Sequence, residues 1–203
     1  WIRLQRLAAA HGADVPSVSP LIERFRRPDG GYAPDPAAPA QITAAYLALN
    51  AWQDLDRPLP HPDRLLAFIE SCRMPDGYAN NREWPVAIAP ATCAALHIRA
   101  AFDHPPEGDI LAWLAACAQP RGGFGLFPNA PRSDLLSTGV ILFTLLAAQA
   151  PSPPTPLHRA WIDSCWRTEG GFAGDPADPR LDAEYTFYGL LALAGLARAP
   201  SPA

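Results

Sequence analysis

Four glycine corners constrain this chain more than any other feature. They read PDGGY at 28–32, PDGY at 75–78, PRGGF at 120–124 and TEGGF at 168–172. Their last glycines, Gly31, Gly77, Gly123 and Gly171, stand 46, 46 and 48 residues apart. A steady period of this length marks an array in which each unit buries its apolar face only against its neighbours. An upstream position repeats with the corners. Phe25, Cys117 and Cys165 lie six residues before the glycine, and Cys72 lies five before Gly77 because that corner has lost one glycine. The unit is clearest at Glu169–Leu196. A double glycine with Phe172 is followed by a loop carrying Asp175, Pro176, Asp178 and Pro179, and then by an apolar stretch. Asp182 stands where an N-cap belongs, with Glu184 in the first turn, where negative charge suits the helix dipole.

Each unit reads as a short amphipathic helix, a glycine turn, a proline loop and a longer, more apolar helix. A helix is expected over Trp1–Ala10, stopped by Gly12. Ser19 is placed to cap the next, with Pro20 at its first position and Leu21, Ile22 and Phe25 inward. Gln41–Trp52 presents Ile42, Tyr46, Leu49 and Trp52 at helical spacing. His61–Cys72 opens the second unit, and Pro90 starts a helix through Cys93, Leu96, His97 and Phe102. Ile110–Cys117 opens the third unit. Ser133 or Asp134 caps a helix running to Gln149, whose middle, Val140–Leu146, is apolar all round and so predicts burial. Pro156–Cys165 opens the fourth. There is no strand-like alternation of note. The first helices carry charge on one side (Glu23 and Arg24; Asp63, Arg64 and Glu70; Arg159 and Asp163), and the second helices carry little. The more apolar helix is buried on more sides, so the second helices are expected to form an inner row and the first helices an outer one. Trp84, Trp113 and Trp161 read as packing between units.

The 203 residues fit a single domain, 1–203. At 49% hydrophobic and 18% charged, the chain has material for a sizeable core. A net charge of −4 argues against nucleic acid, which calls for a basic face. The 25 prolines cluster at 34–39, 58–62, 151–156 and 176–179, as rigid connectors between helices. Cys72, Cys117 and Cys165 read as small apolar packing positions. Equivalent sites in stacked units lie beyond the roughly 7 Å Cα separation that a disulfide bridges. No CxxC or HxxxH spacing suggests zinc. The composition fits a reduced, cytoplasmic protein. No run of about 18 apolar residues is free of charge and proline, so no membrane span is expected. No signal peptide is visible, and a first residue of Trp1 instead of Met reads as a trimmed, processed or incomplete start.

The unit GGFAGDPADPRLDAEYTFYGLLALAGL closely resembles the repeat of the protein prenyltransferase β subunits and of the squalene and oxidosqualene cyclases. GGFGLFPNAPRSDLLSTGVILFTLLAAQ and GGYAPDPAAPAQITAAYLALNAWQ are similar but weaker. LAWLAACAQPRGGFG is similar to the glutamine-and-tryptophan motif of the triterpene cyclases, with Gln119 two residues after Cys117. The resemblance spans about Leu21 to Leu196. It implies an all-α fold, an α/α toroid of paired helices around an apolar cavity that holds an isoprenoid chain. It implies an enzyme of isoprenoid chemistry acting on a polyprenyl or terpenoid substrate. The departures are specific. The cyclases protonate an alkene with a DxDD motif, which is absent; Asp54-Leu55-Asp56 runs into Arg57 and Pro58 on a linker. The prenyltransferase pattern places a zinc aspartate at Asp182, but the cysteine two residues on is here Glu184, and the histidine belongs to a later repeat. The zinc thiolate site is therefore absent, and magnesium or zinc stays open as a cofactor with none assigned. About four helix pairs plus the N-terminal helix make a partial toroid. It is either open, closed by a second copy or partner subunit, or completed by further sequence.

Asp134 and Asp182 both lie eleven residues past their corner glycine, so their helix N-termini are expected to converge on one end of the cavity. Two carboxylates there could act as acid and base or hold a cation; as plain N-caps they would only satisfy backbone donors. Glu184 on an inner helix, facing an apolar pocket, would have a raised pKa and could donate a proton. The alternative is a solvated first-turn glutamate. Tyr46, Tyr185, Phe187 and Tyr188 could line a pocket whose aromatic faces stabilise a carbocation, or simply pack helix to helix. His97, on an apolar inner helix, is a core histidine or a base. Arg82, Arg99, Arg132 and Arg180 are the candidates for a diphosphate. The competing reading is a non-catalytic toroid, a lipid-binding or partner-binding module that kept the scaffold.

Overall fold

The computed structural model describes residues 10–11, 19–151 and 155–197. The helix expected over Trp1–Ala10 lies almost wholly outside them. Among the described residues the helices are α1 (Ser19–Glu23), α2 (Ile42–Asp54), α3 (Pro62–Ser71), α4 (Ala89–Ala100), α5 (Gly108–Ala116), α6 (Leu135–Ala147), α7 (Thr155–Ser164) and α8 (Ala183–Ala197). The even helices stack in sequence, α2 on α4, α4 on α6 and α6 on α8, and each odd helix packs on the even helix of its own unit. This is the two-row arrangement of a partial α/α toroid. Burial follows the charge asymmetry of the sequence. On α4 the run Ala91–Leu96 is buried residue by residue, whereas α3 buries only Leu65, Phe68 and Ile69.

Each corner is closed by a minimal antiparallel pair. Arg73–Met74 (β1) pairs with Gly77–Tyr78 (β2), and Trp166–Arg167 (β3) pairs with Gly171–Phe172 (β4). The other corners make single bridges, Arg26 to Tyr32 and Ala118 to Phe124. Two-residue ladders are too short to leave an alternation in the sequence, so none was legible. A hydrogen bond then ties each of the last three corners to its inner helix. The N–H of Tyr78, Phe124 and Phe172 donates to the hydroxyl of Thr92 (3.0 Å), Thr138 (2.8 Å) and Thr186 (3.2 Å), fourteen residues on in every case. In the first unit Ala45 holds the threonine's place on the helix.

A second set of bonds runs between units. The first N–H of α2, from Ile42, donates to the Asn80 carbonyl; that of α4, from Ala89, to Leu126; that of α6, from Leu135, to Gly174, all at 2.8 Å. Each acceptor lies three residues past the next corner's glycine. The free donors of a helix start are thus satisfied by the following unit. The corners also need glycine because that unit presses on them. Gly30 (φ +96°) and Gly122 (φ +94°) are left-handed, and a Cβ there would lie 2.4 Å from the Arg64 carbonyl oxygen and 2.3 Å from that of Leu157. The rings of Phe68 and Trp161 lie on Gly31 and Gly123.

Two local expectations differ from the structure. Ser19 is the first residue of a short α1 instead of its cap. Trp84 does not pack between units but is exposed, because Asn81 Oδ1 accepts the N–H of Glu83 and Trp84 and turns the chain outward. Trp161 does pack between units. All four cysteines are buried and free. Burial pushes the Cys93, Cys117 and Cys165 thiols up to about 12, which leaves them inert.

Candidate functional site

The acidic candidates gather at the starts of α6 and α8. Asp134 caps α6: its backbone is extended, and Oδ1 accepts the Ser137 N–H at 2.7 Å. Burial raises its carboxyl pKa, the bonds from Ser137 oppose this, and the charge of Asp175 raises it further. Asp182 caps α8 in the same way, accepting the Tyr185 N–H at 2.7 Å, but it is exposed. Glu184 is also exposed, in the first turn of α8. Tyr185 stands among them. Its phenol pKa is raised first by burial, then by the charges of Asp134, Asp182 and Glu184. The three predicted carboxylates thus stand at the starts of two neighbouring inner helices, with Asp182 bonded to the Tyr185 N–H. Nearby, the Arg167 guanidinium donates to the carbonyls of Pro176 (2.9 Å) and Asp178 (2.8 Å) and fixes the loop, while Asp178 pairs with Arg180.

The aromatic candidates gather on the inner helices. The His97 ring lies between Tyr46 on α2, centroids 5.6 Å apart, and Phe143 on α6, 5.1 Å apart. His97 Nε2 is 3.0 Å from Thr144 Oγ1, whose own proton goes to the Val140 carbonyl at 2.7 Å. That hydroxyl therefore accepts, and Nε2 carries the proton. Burial pulls the His97 pKa below the ordinary imidazole range, so the ring is neutral near pH 7. Tyr188 is half-buried. Its phenol pKa is raised by burial and then by the charge of Glu184, and its backbone packs on Gly139 of α6. Phe187 meets Tyr188 edge to face at 5.3 Å but is largely exposed. Phe143 was missed in the sequence. It sits in the run that is apolar all round, where periodicity marks no face.

Of the predicted arginines only Arg180 lies by the acidic group, and none is in contact with the aromatic one. Arg82 donates to Ser71 Oγ at 2.7 Å and covers Phe68; Arg99 pairs with Glu70 and Glu107; Arg180 holds Asp178; Arg132 is exposed. An apolar groove of about 360 Å³ lies elsewhere, between α1 and α2, lined by Leu21, Ile22, Phe25, Ala44, Leu47 and Ala51 among others. A second cavity of about 310 Å³ is lined by Met74, Val86, Trp113 and Phe127 among others. Neither is lined by a candidate site residue. Among the described residues no three His, Cys, Asp or Glu side chains group as metal ligands, so the side chains present do not fit a zinc site. Among the same residues no helix is long and apolar enough to cross a membrane.

No curated protein matches this chain. Among solved structures it is similar to Candida albicans protein geranylgeranyltransferase-I complexed with GGPP, with a TM-score of 0.60 at 18% identity. The match covers 85% of this chain and 52% of that one, so this chain spans about half the length of that protein. At that identity the likeness concerns the fold. The family described as the prenyltransferase alpha-alpha toroid domain matches residues 4–130, 80–158 and 150–201. Matched from end to end by that repeat, the chain belongs to the prenyltransferase alpha-alpha toroid domain family.

Proposed function

We propose that this chain binds an isoprenoid or similar hydrophobic small molecule against the aromatic group of its inner helices, in a prenyltransferase-related activity. The observation that carries the reading is the unbroken contact Tyr46–His97–Phe143 across three successive inner helices. Aromatic faces suit an alkene chain and a developing allylic cation alike. A neutral His97 adds polarity without a competing charge. The prenyl diphosphate named with the Candida albicans enzyme supports this ligand class. Asp134 is the best placed acid. Its carboxyl is held toward the protonated form by burial, and it stands near Tyr185. Asp182 and Glu184 are exposed, and their part is to hold a cationic or polar end of the ligand at the rim. A second copy or a partner subunit completes the ring. A cytoplasmic location suits four buried free thiols.

A non-catalytic binding module is the second reading, favoured by the use of both Asp134 and Asp182 as helix caps. Incubation with farnesyl and geranylgeranyl diphosphate, with and without zinc or magnesium, separates the two. Turnover that is lost in Asp134→Asn supports the enzyme. Saturable binding without product, weakened about tenfold or more by Tyr46→Ala or His97→Ala, supports the module; a tenfold loss is about 1.4 kcal/mol. No binding of either diphosphate sinks both.

A further inference from the structure

Numbering each inner helix from its first residue shows which face meets which neighbour. The eighth residue is leucine in all four: Leu49, Leu96, Leu142 and Leu190. The first three are buried, Leu142 to 3% exposure, where its Cβ packs on Gly195 of the following unit. Leu190 is 58% exposed. The fifth residue also faces the following unit. Tyr46 stacks on His97, and a Cβ on Gly139 would lie 2.7 Å from the Tyr188 carbonyl oxygen. On α8 this residue is Phe187, again exposed. The sixth residue faces the preceding unit, as Tyr188 does, and on α2 it is Leu47, 68% exposed.

The corners tell the same story. Leu21 on α1 holds the register position of Phe68, Trp113 and Trp161, two of which lie on the preceding corner's glycines, and Leu21 is exposed. Gly170 keeps the left-handed φ of +101°, but nothing lies within 4 Å of its would-be Cβ. One face of the array thus offers the leucine knobs and apolar groove that an interior unit presents backwards. The other offers the bare corner and apolar stripe that an interior unit presents forwards.

We propose that a second copy of this chain docks head to tail, its α1–α2 groove seated on the α8 face and fourth corner of the first. The junction continues the interior pattern. Leu47 meets Phe187 as Tyr188 meets Gly139, and Leu21 approaches Gly170 as Trp161 approaches Gly122. The contact joins two different faces, so a pair of copies closes a ring if the rotation permits and otherwise grows as a chain. It names the partner that the functional reading leaves open, and it is measured without any isoprenoid, so failure of ligand binding does not bear on it.

Sedimentation of the 203-residue chain at micromolar concentration tests it. The wild type is expected at twice the monomer mass or more. Leu47→Glu spoils only the groove and Leu190→Glu only the stripe, so each alone is expected at monomer mass. An equimolar mixture is expected to recover a dimer, because one sound groove still finds one sound stripe. Unchanged helical circular dichroism, and melting that matches the wild type at dilutions where both are monomeric, confirm that these exposed substitutions leave the fold intact. A monomeric wild type, a variant that keeps the wild-type mass, or a mixture that stays monomeric at the highest soluble concentration each overturns the proposal.

Discussion

The junction between the third and fourth units and the open face of the fourth are built from the same residues with opposite surroundings. Leu142 is enclosed and Leu190 is bare; Gly122 is pressed by the Leu157 carbonyl and Gly170 by nothing; Asp134 is covered and Asp182 is exposed. Local sequence is nearly the same at each pair. What differs is whether another unit lies against it. Position in the array, more than residue type, sets burial and strain here.

Gly122→Ala should have the largest single effect. A left-handed alanine and a close approach to backbone together cost about 4 kcal/mol. Gly170→Ala carries only the conformational part, about 1–2 kcal/mol. Urea denaturation of both variants reads the difference, and equal losses would mean that the neighbour does not press on the third corner. Leu142→Ala is next, at about 3 kcal/mol for a buried leucine, against about 0.5 kcal/mol or less for Leu190→Ala in the monomer. A loss at Leu190 that grows with protein concentration would sharpen the contrast, since it would report a face covered by association. Thr138→Val leaves the buried Phe124 N–H without its acceptor and should cost about 2 kcal/mol. Thr186→Val, at the part-exposed Phe172 bond, should cost about half that.

The smallest effect is in pH. His158 of α7 holds the register position filled by Leu65 and Ile110 in the preceding units. It is buried and stacked on Phe124 at 4.6 Å, and its Nδ1 has no hydrogen-bond partner. Burial lowers its pKa below the free imidazole value of about 6.5. Below that value the unfolded chain takes up a proton that the folded chain refuses. Stability is therefore flat above it, falls as pH drops through it, and levels off under the lowered pKa. One site contributes a slope of at most about 1.4 kcal/mol per pH unit. His158→Leu should reduce the slope of melting curves between pH 7 and 5, leaving the part that His97 contributes in the same direction, and an unchanged slope would remove His158 as a source.

The sequence made the units legible because their markers are local. Left-handed glycines, prolines at helix starts and the aspartates at Asp134 and Asp182 announce corners and caps within a few residues. Helix limits came out within a few residues for the same reason. The junctions were hidden. Nothing near Ile42 says that its N–H will meet the Asn80 carbonyl, and nothing near Asp182 says that it lacks the cover given to Asp134. Glu184, read as an acid facing a pocket or as a solvated first-turn residue, is exposed because no described unit packs over the start of α8. His97 could be named as a candidate from its apolar helix, but its stacking on Phe143 depends on a residue 46 positions away. Information that lives in one turn of chain can be read from it; information about which surface lies opposite cannot.

At the three corners that make it, the bond from the corner amide to a threonine hydroxyl spans fourteen residues, and the connectors 55–61 and 101–107 are both seven long. The uneven spacing of the corners therefore falls on the helices, on the missing glycine of the second corner and on the loop of the first unit, where Gly31 stands eleven residues before its inner helix and the other corner glycines stand twelve. Cuts made at matching points in two connectors would excise or duplicate a whole unit with every clasp intact. The array can be lengthened or shortened by recombination in whole steps, and its circumference is an adjustable trait.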